Sequence, residues 1–222
     1  MKKRNIFIII MIVFVMIMTV TACSKNTTEP YDNTASEEPV EEKPSAAAAE
    51  EEEEEELKSE ESKSDVTLEG PYIVTTCGQS PGAVMMNMIA VQAGLTSLND
   101  NSLSADGLKV DEYKTLVVTT GTSMKGMGAA GTDVDAEIER CVTLINAAKE
   151  AGLTIVGAHI EGMARRTDSA DAASIDAVME LADVILVIED SDSDGFFTKY
   201  AEDNNKQLIK VENTLDISSV LK

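Results

Sequence analysis

The 222-residue chain has one histidine, His159, and three cysteines, Cys23, Cys77 and Cys141. A catalytic serine or cysteine would therefore have only one histidine to serve as its base. Three cysteines make no disulfide scaffold, and no two stand at Cys-x-x-Cys spacing, so a thioredoxin-type redox motif is excluded. Basic residues are scarce too: 18 Lys and Arg face 40 Asp and Glu, a net charge of −22. Binding to nucleic acid or to anionic lipid headgroups by charge is thereby excluded.

The N-terminus does hold a long apolar run. Lys2, Lys3 and Arg4 precede "IFIIIMIVFVMIMTVTA", Ile6 to Ala22, the charged-then-apolar order of a secretory leader. Val20-Thr21-Ala22-Cys23 follows as an aliphatic residue, two small residues and a cysteine. This resembles the lipobox of bacterial lipoproteins, with Val20 where that family most often has Leu. The resemblance implies a signal peptide over 1–22, lipidation of Cys23 and a mature chain anchored to a membrane in the cell envelope. An uncleaved helix of the same length is the alternative.

From Ser24 to Gly70 the chain carries 17 acidic and 4 basic residues, including the run Glu50 to Glu56, and almost no large apolar side chain. Such a segment cannot bury enough surface to offset its conformational entropy, so 23–70 is expected to be a disordered tether reaching about 35–40 Å.

The remaining residues, 71–222, alternate apolar runs of strand length with amphipathic stretches. The expected strands are 72–76, 115–119, 153–158, 184–189 and 208–211. The expected helices lie near 82–93, 133–150, 169–181 and 196–203, with a short one near 217–221. "TLVVTT", "LTIVGA" and "VILVIED" are nearly continuously apolar, as in central parallel strands covered on both faces. The expected fold is α/β: one small doubly wound three-layer sandwich of about five mostly parallel strands.

Ligands in such sheets bind beyond the carboxyl ends of the strands, where strand order reverses. The loops there carry Cys77, Gln79, Ser80 and Gly82; Thr120, Gly121, Thr122, Ser123 and Lys125; and His159, Glu161, Arg165 and Arg166. Three basic residues at one edge of a domain of net charge −12 point to an anionic ligand, because guanidinium forks and helix N-termini both stabilise carboxylate or phosphate. The bland reading pairs each arginine with a neighbour such as Glu161 or Asp168.

Several motifs compete. "CGQSPG" contains the Gly-x-Ser-x-Gly of a hydrolase nucleophile elbow. However, Pro81 follows the serine and has no N–H to serve an oxyanion hole, so Ser80 reads as the N-cap of a helix with Pro81 in its first turn. Gly126-Met127-Gly128-Ala129-Ala130-Gly131 matches Gly-x-Gly-x-x-Gly as a string but does not follow its strand directly, and reads as a flexible loop that closes over a ligand or as a mobile connection. Asp190, Asp192 and Asp194 imitate the start of a calcium loop, but position twelve is Ala201; Asp194 reads as a helix cap. Cys141 reads as a buried small hydrophobe. Met85, Met86 and Met88 read as core residues.

These residues support a surface-tethered module that binds a small anionic solute, with neither metal nor cofactor, and that possesses a membrane contact through its lipid. It would work beside a transporter or another envelope protein. The alternatives are a hydrolase using Ser80 or Cys77 with His159, and a structural or sensory partner of another envelope protein.

Overall fold

The computed structural model describes residues 66–222. The leader, Cys23 and the acidic run Glu50 to Glu56 lie outside the described residues. Folded structure begins before Pro71. Leu68 is buried, donates its N–H to the Val220 carbonyl and accepts from the Lys222 N–H, both at 2.8 Å.

The strands are β1 (Tyr72–Cys77), β2 (Ser97–Asn99), β3 (Thr115–Thr120), β4 (Thr154–His159), β5 (Val184–Ile188) and β6 (Gln207–Val211). They form one sheet in the order β2-β1-β3-β4-β5-β6, and every neighbouring pair is parallel. The expected α/β class is therefore borne out, with β2 as an added edge strand. β1, β3 and β5 are buried along their whole length, as their β-branched runs require of strands covered on both faces.

The helices are α1 (Gly82–Gln92), α2 (Met124–Ala130), α3 (Val134–Glu150), α4 (Ser169–Leu181) and α5 (Phe196–Asp203). On one face, Ala83, Met86, Ile89 and Ala90 of α1 pack with Ile217 of the 3-10 segment Thr214–Val220 against Val74, Val117 and Val156. On the other face α3, α4 and α5 pack on Ile73, Leu116, Val118, Ile185 and Val187. The chain runs outward from β1 to β2, then returns to β3 on the other side of β1. Strand order thus reverses between β1 and β3, and their carboxyl ends form the switch point.

The segment expected to be a flexible or mobile connection is instead partly helical. α2 starts at Ser123, whose Oγ accepts the Gly126 N–H at 3.1 Å, and ends at Gly131 in the left-handed region. On α3 the buried face is Glu137, Cys141, Leu144, Ile145 and Ala148. A charged residue, Glu137, thus occupies a core position.

Candidate functional site

The loops after β1 and β3 are joined backbone to backbone. The Ser123 N–H donates to the Gly78 carbonyl at 2.8 Å, and Gln79 and Thr122 form an isolated antiparallel bridge. This closeness depends on glycine. Gly78 has φ +119°, and a Cβ there would stand 2.6 Å from the Gly121 carbonyl oxygen. Gln79, itself at φ 58°, donates its side-chain amide to the Asn101 carbonyl at 2.9 Å and to Glu137 at 3.0 Å.

Buried polar groups hold this junction from below. Glu137 Oε2 accepts from the Gly78 N–H at 3.3 Å and from Arg140 at 2.8 Å. Arg140 also donates to the Leu103 carbonyl at 2.7 Å and to the Thr76 carbonyl. Asp171 Oδ1 accepts from the Thr122 N–H at 2.7 Å and hydroxyl at 2.6 Å. Burial pushes the Asp171 carboxyl up, but the bonds from Thr122 and Thr167 outweigh it and hold the group below its ordinary value. Ser174 Oγ accepts the Gly121 N–H at 3.2 Å and donates to the Cys77 carbonyl. Glu137, Arg140, Asp171 and Ser174 were not singled out from the sequence. The one signal for them was that Glu137 and Arg140, three apart, flank the apolar face around Cys141.

Ser80 does not cap α1. The residue preceding the helix is Pro81, and the Ser80 hydroxyl is buried without a hydrogen-bond partner. The capping role is taken by Glu161, whose Oε1 accepts the Gly82 N–H at 2.8 Å. A carboxylate is the stronger acceptor at a helix N-terminus, since its charge also opposes the helix dipole. Glu161 Oε2 pairs with Arg165 Nε at 3.2 Å, and Arg165 Nη1 donates to the Thr122 carbonyl at 2.6 Å. A carboxylate thus sits between a helix N-terminus and a guanidinium at the switch point.

Arg166 is engaged elsewhere. It pairs with Asp194 through two bonds of 2.8 and 3.0 Å, donates to the Ser191 carbonyl at 3.0 Å and lies 4.4 Å from the Phe196 ring centroid. Its partner is Asp194, not Asp168, because Asp168 caps α4 through the N–H groups of Ala170 and Asp171. The main cap of α5 is Asp192, which accepts from Phe197 at 2.7 Å and Thr198 at 3.2 Å; Asp194 adds a 3.2 Å bond from Phe196. Lys125 is exposed on α2 and has no ion-pair partner among the described residues.

His159 is fully buried at the end of β4, with Nδ1 2.9 Å from Thr120 Oγ1 and Nε2 3.3 Å from the Gly162 carbonyl. Burial, assisted by the charge of Arg166, pushes its pKa down to about 4. It is therefore a neutral imidazole at pH 7. It makes no hydrogen bond to Ser80, so no nucleophile–base pair is assembled there. Cys77 and Cys141 are both free and buried; the neighbouring Cys141 thiol holds that of Cys77 below its ordinary value, and Cys77 with burial pushes that of Cys141 up. Among the described residues no group of three or more His, Cys, Asp or Glu is placed to hold a metal.

Cavities flank the sheet among the described residues. One of about 310 Å³ lies beside Arg140, lined also by Ser104, Ala105 and Glu139. The larger, about 490 Å³, lies at the opposite edge, against the amino ends of the strands at Thr115, Thr154, Val184 and Gln207.

No curated protein matches the chain. Among solved structures it is similar to a GDSL-like lipase from Bacteroides thetaiotaomicron at 8% identity, covering 63% of this chain and 66% of that one, with a TM-score of 0.32. A putative acylhydrolase from Bacteroides fragilis matches at 7% identity, 63% and 65% coverage and a TM-score of 0.30. A psychrotrophic esterase from Pseudoalteromonas matches at 11% identity, 63% and 76% coverage and a TM-score of 0.30. The match spans just under two thirds of each of the first two. Over residues 69–222, from the turn before β1 to the last residue, the chain belongs to the family described as a domain of unknown function, DUF6305.

Proposed function

We propose that the protein is a lipid-anchored extracytoplasmic module whose α/β domain binds a small carboxylate- or phosphate-bearing solute at the junction of β1 and β3. The observation that carries this reading is Arg165. Its Nε and Nη1 are held by Glu161 and the Thr122 carbonyl, while its Nη2 has no partner among the described residues, and 30% of the side chain is exposed. A guanidinium fixed on one edge and open on the other is preorganised for an oxyanion. Glu161 marks the chemistry of the cradle, since a carboxylate already rests there. Lys125, three residues after Thr122 and without an ion-pair partner among the described residues, adds positive charge at the same edge, and Arg166, neutralised by Asp194, does not contribute.

The lipid anchor is supported by Val20-Thr21-Ala22-Cys23 behind its charged and apolar leader. Intact mass of protein extracted from membranes should show a chain beginning at acylated Cys23; a retained leader overturns that half of the proposal.

For the binding half, native mass spectrometry of the extracted protein should reveal a co-purifying anion, and calorimetric titration with inorganic phosphate and with succinate tests the two chemistries directly. Arg165→Ala should weaken binding by about ten- to a hundredfold, the effect of one charge-assisted bond. No binding of either probe at millimolar concentration counts against the module. Labelling of Ser80 by a fluorophosphonate, with ester hydrolysis lost in Ser80→Ala, would replace it with the hydrolase alternative.

A further inference from the structure

Met88 was expected in the core and is instead 53% exposed. It belongs to a pattern. Val84 and Val91, at 42% and 52% exposure, lie four before and three after it on α1. At about 100° per residue these three side chains fall within about 60° of one another, on the side of the helix opposite the buried Met86. α1 is apolar on both its inner and outer faces. A helix of that kind is normally covered on both sides, yet among the described residues only the sheet side is covered.

Charge is absent as well. From Pro81 to Asn99 there is no Asp, Glu, Lys or Arg, in a domain whose net charge is −12. Leu215, 71% exposed, adds a further apolar group from the 3-10 segment that packs beside α1 on the same face of the sheet.

We propose that the outer face of α1 is the contact through which two copies of this chain associate about a two-fold axis. Between Ser24 and Asp65 the only large apolar side chains are Tyr31, Val40 and Leu57, scattered singly, so that stretch brings no apolar stripe of its own to match. A basic partner would be drawn to the carboxylates that dominate the rest of the surface, and this stripe offers it nothing. A second copy brings the same uncharged stripe, so the two domains meet at the one place where their like charges do not oppose each other. Methionine suits such a contact, since its unbranched side chain adapts to fill the seam between two identical helices. The stripe is narrow, and tethering both copies to one membrane would raise their local concentration enough for a modest contact to suffice.

The test uses the full chain in native membranes. Met88→Cys treated with a short bis-maleimide should give a covalent band at twice the chain mass, and Lys199→Cys, on a helix of the opposite face and 74% exposed, should not. Adding Val84→Glu and Val91→Glu should abolish the Met88→Cys dimer while leaving the circular dichroism unchanged, because both positions already face solvent. Equal cross-linking from Met88→Cys and Lys199→Cys, or no cross-linking from either, overturns the proposal. A band whose mass corresponds to a different protein overturns the choice of a second copy.

Discussion

Glu161 reaches across 79 positions of sequence to place its carboxylate 2.8 Å from the Gly82 N–H. The bond fixes the start of α1 to the loop after β4 and puts negative charge against the helix N-terminus, where it would compete with the proposed anion. Glu161→Gln should therefore act in two directions. Losing a charge-assisted bond should lower stability by about 1.5–3 kcal/mol in urea unfolding. With the internal competitor neutralised, calorimetry should show tighter phosphate binding than in the wild type. Weaker binding in Glu161→Gln would mean that the carboxylate helps hold the solute.

This long-range contact also marks where the sequence was legible. β1, β3, β4 and β5 were readable because each is a nearly unbroken β-branched or aliphatic run that only a doubly covered strand explains. β2 was not, since Ser97-Leu98-Asn99 has no strand pattern and exists through its pairing with Tyr72 to Val74. The loops do follow the carboxyl ends of β1, β3 and β4, as the strand-end rule expects, but how they are wired to one another was not legible. Ser80 had the right neighbours for a cap and lost the role to a residue from the loop after β4. Nothing local to Glu137 and Asp171 shows that they hold the buried backbone N–H groups of Gly78 and Thr122.

Gly126 tests the joining of the two loops. A Cβ at this position would stand 2.2 Å from the Gln79 carbonyl oxygen, a backbone atom with no flexible side chain to yield. Gly126→Ala should destabilise the domain by about 1–3 kcal/mol, the usual range for overpacking, although alanine favours a helix more than glycine does. Urea unfolding decides, and a gain in stability would show that the α2 start and the β1 loop are not in contact.

The thiols should be silent in the native protein. Cys77 and Cys141 are each 0% exposed, and Cys141 donates to the Thr76 carbonyl at 3.5 Å. Ellman's reagent should find neither in native buffer and both in urea, with reaction limited by opening of the fold. Rapid native labelling of Cys77 would instead expose it as a nucleophile and favour the cysteine form of the hydrolase alternative.

His159 makes stability depend on pH in a direction set by its burial. Its folded pKa, pushed down to about 4, lies below the ordinary histidine value of 6.5. Between those values the unfolded chain binds a proton that the folded one does not, so stability is full above pH 6.5 and falls as pH drops toward 4. The full difference corresponds to about 3 kcal/mol. Asp and Glu titration also enters at the acid end, so the comparison must be with a variant. Urea unfolding of wild type and His159→Gln at pH 7.5 and pH 5 should show the wild type losing more stability on acidification, with the gap between the two narrowing or reversing at pH 5. If the two proteins lose the same amount, His159 is protonated in the fold, and the dry pocket formed by Thr120, Gly162 and Phe197 around its ring is open to water.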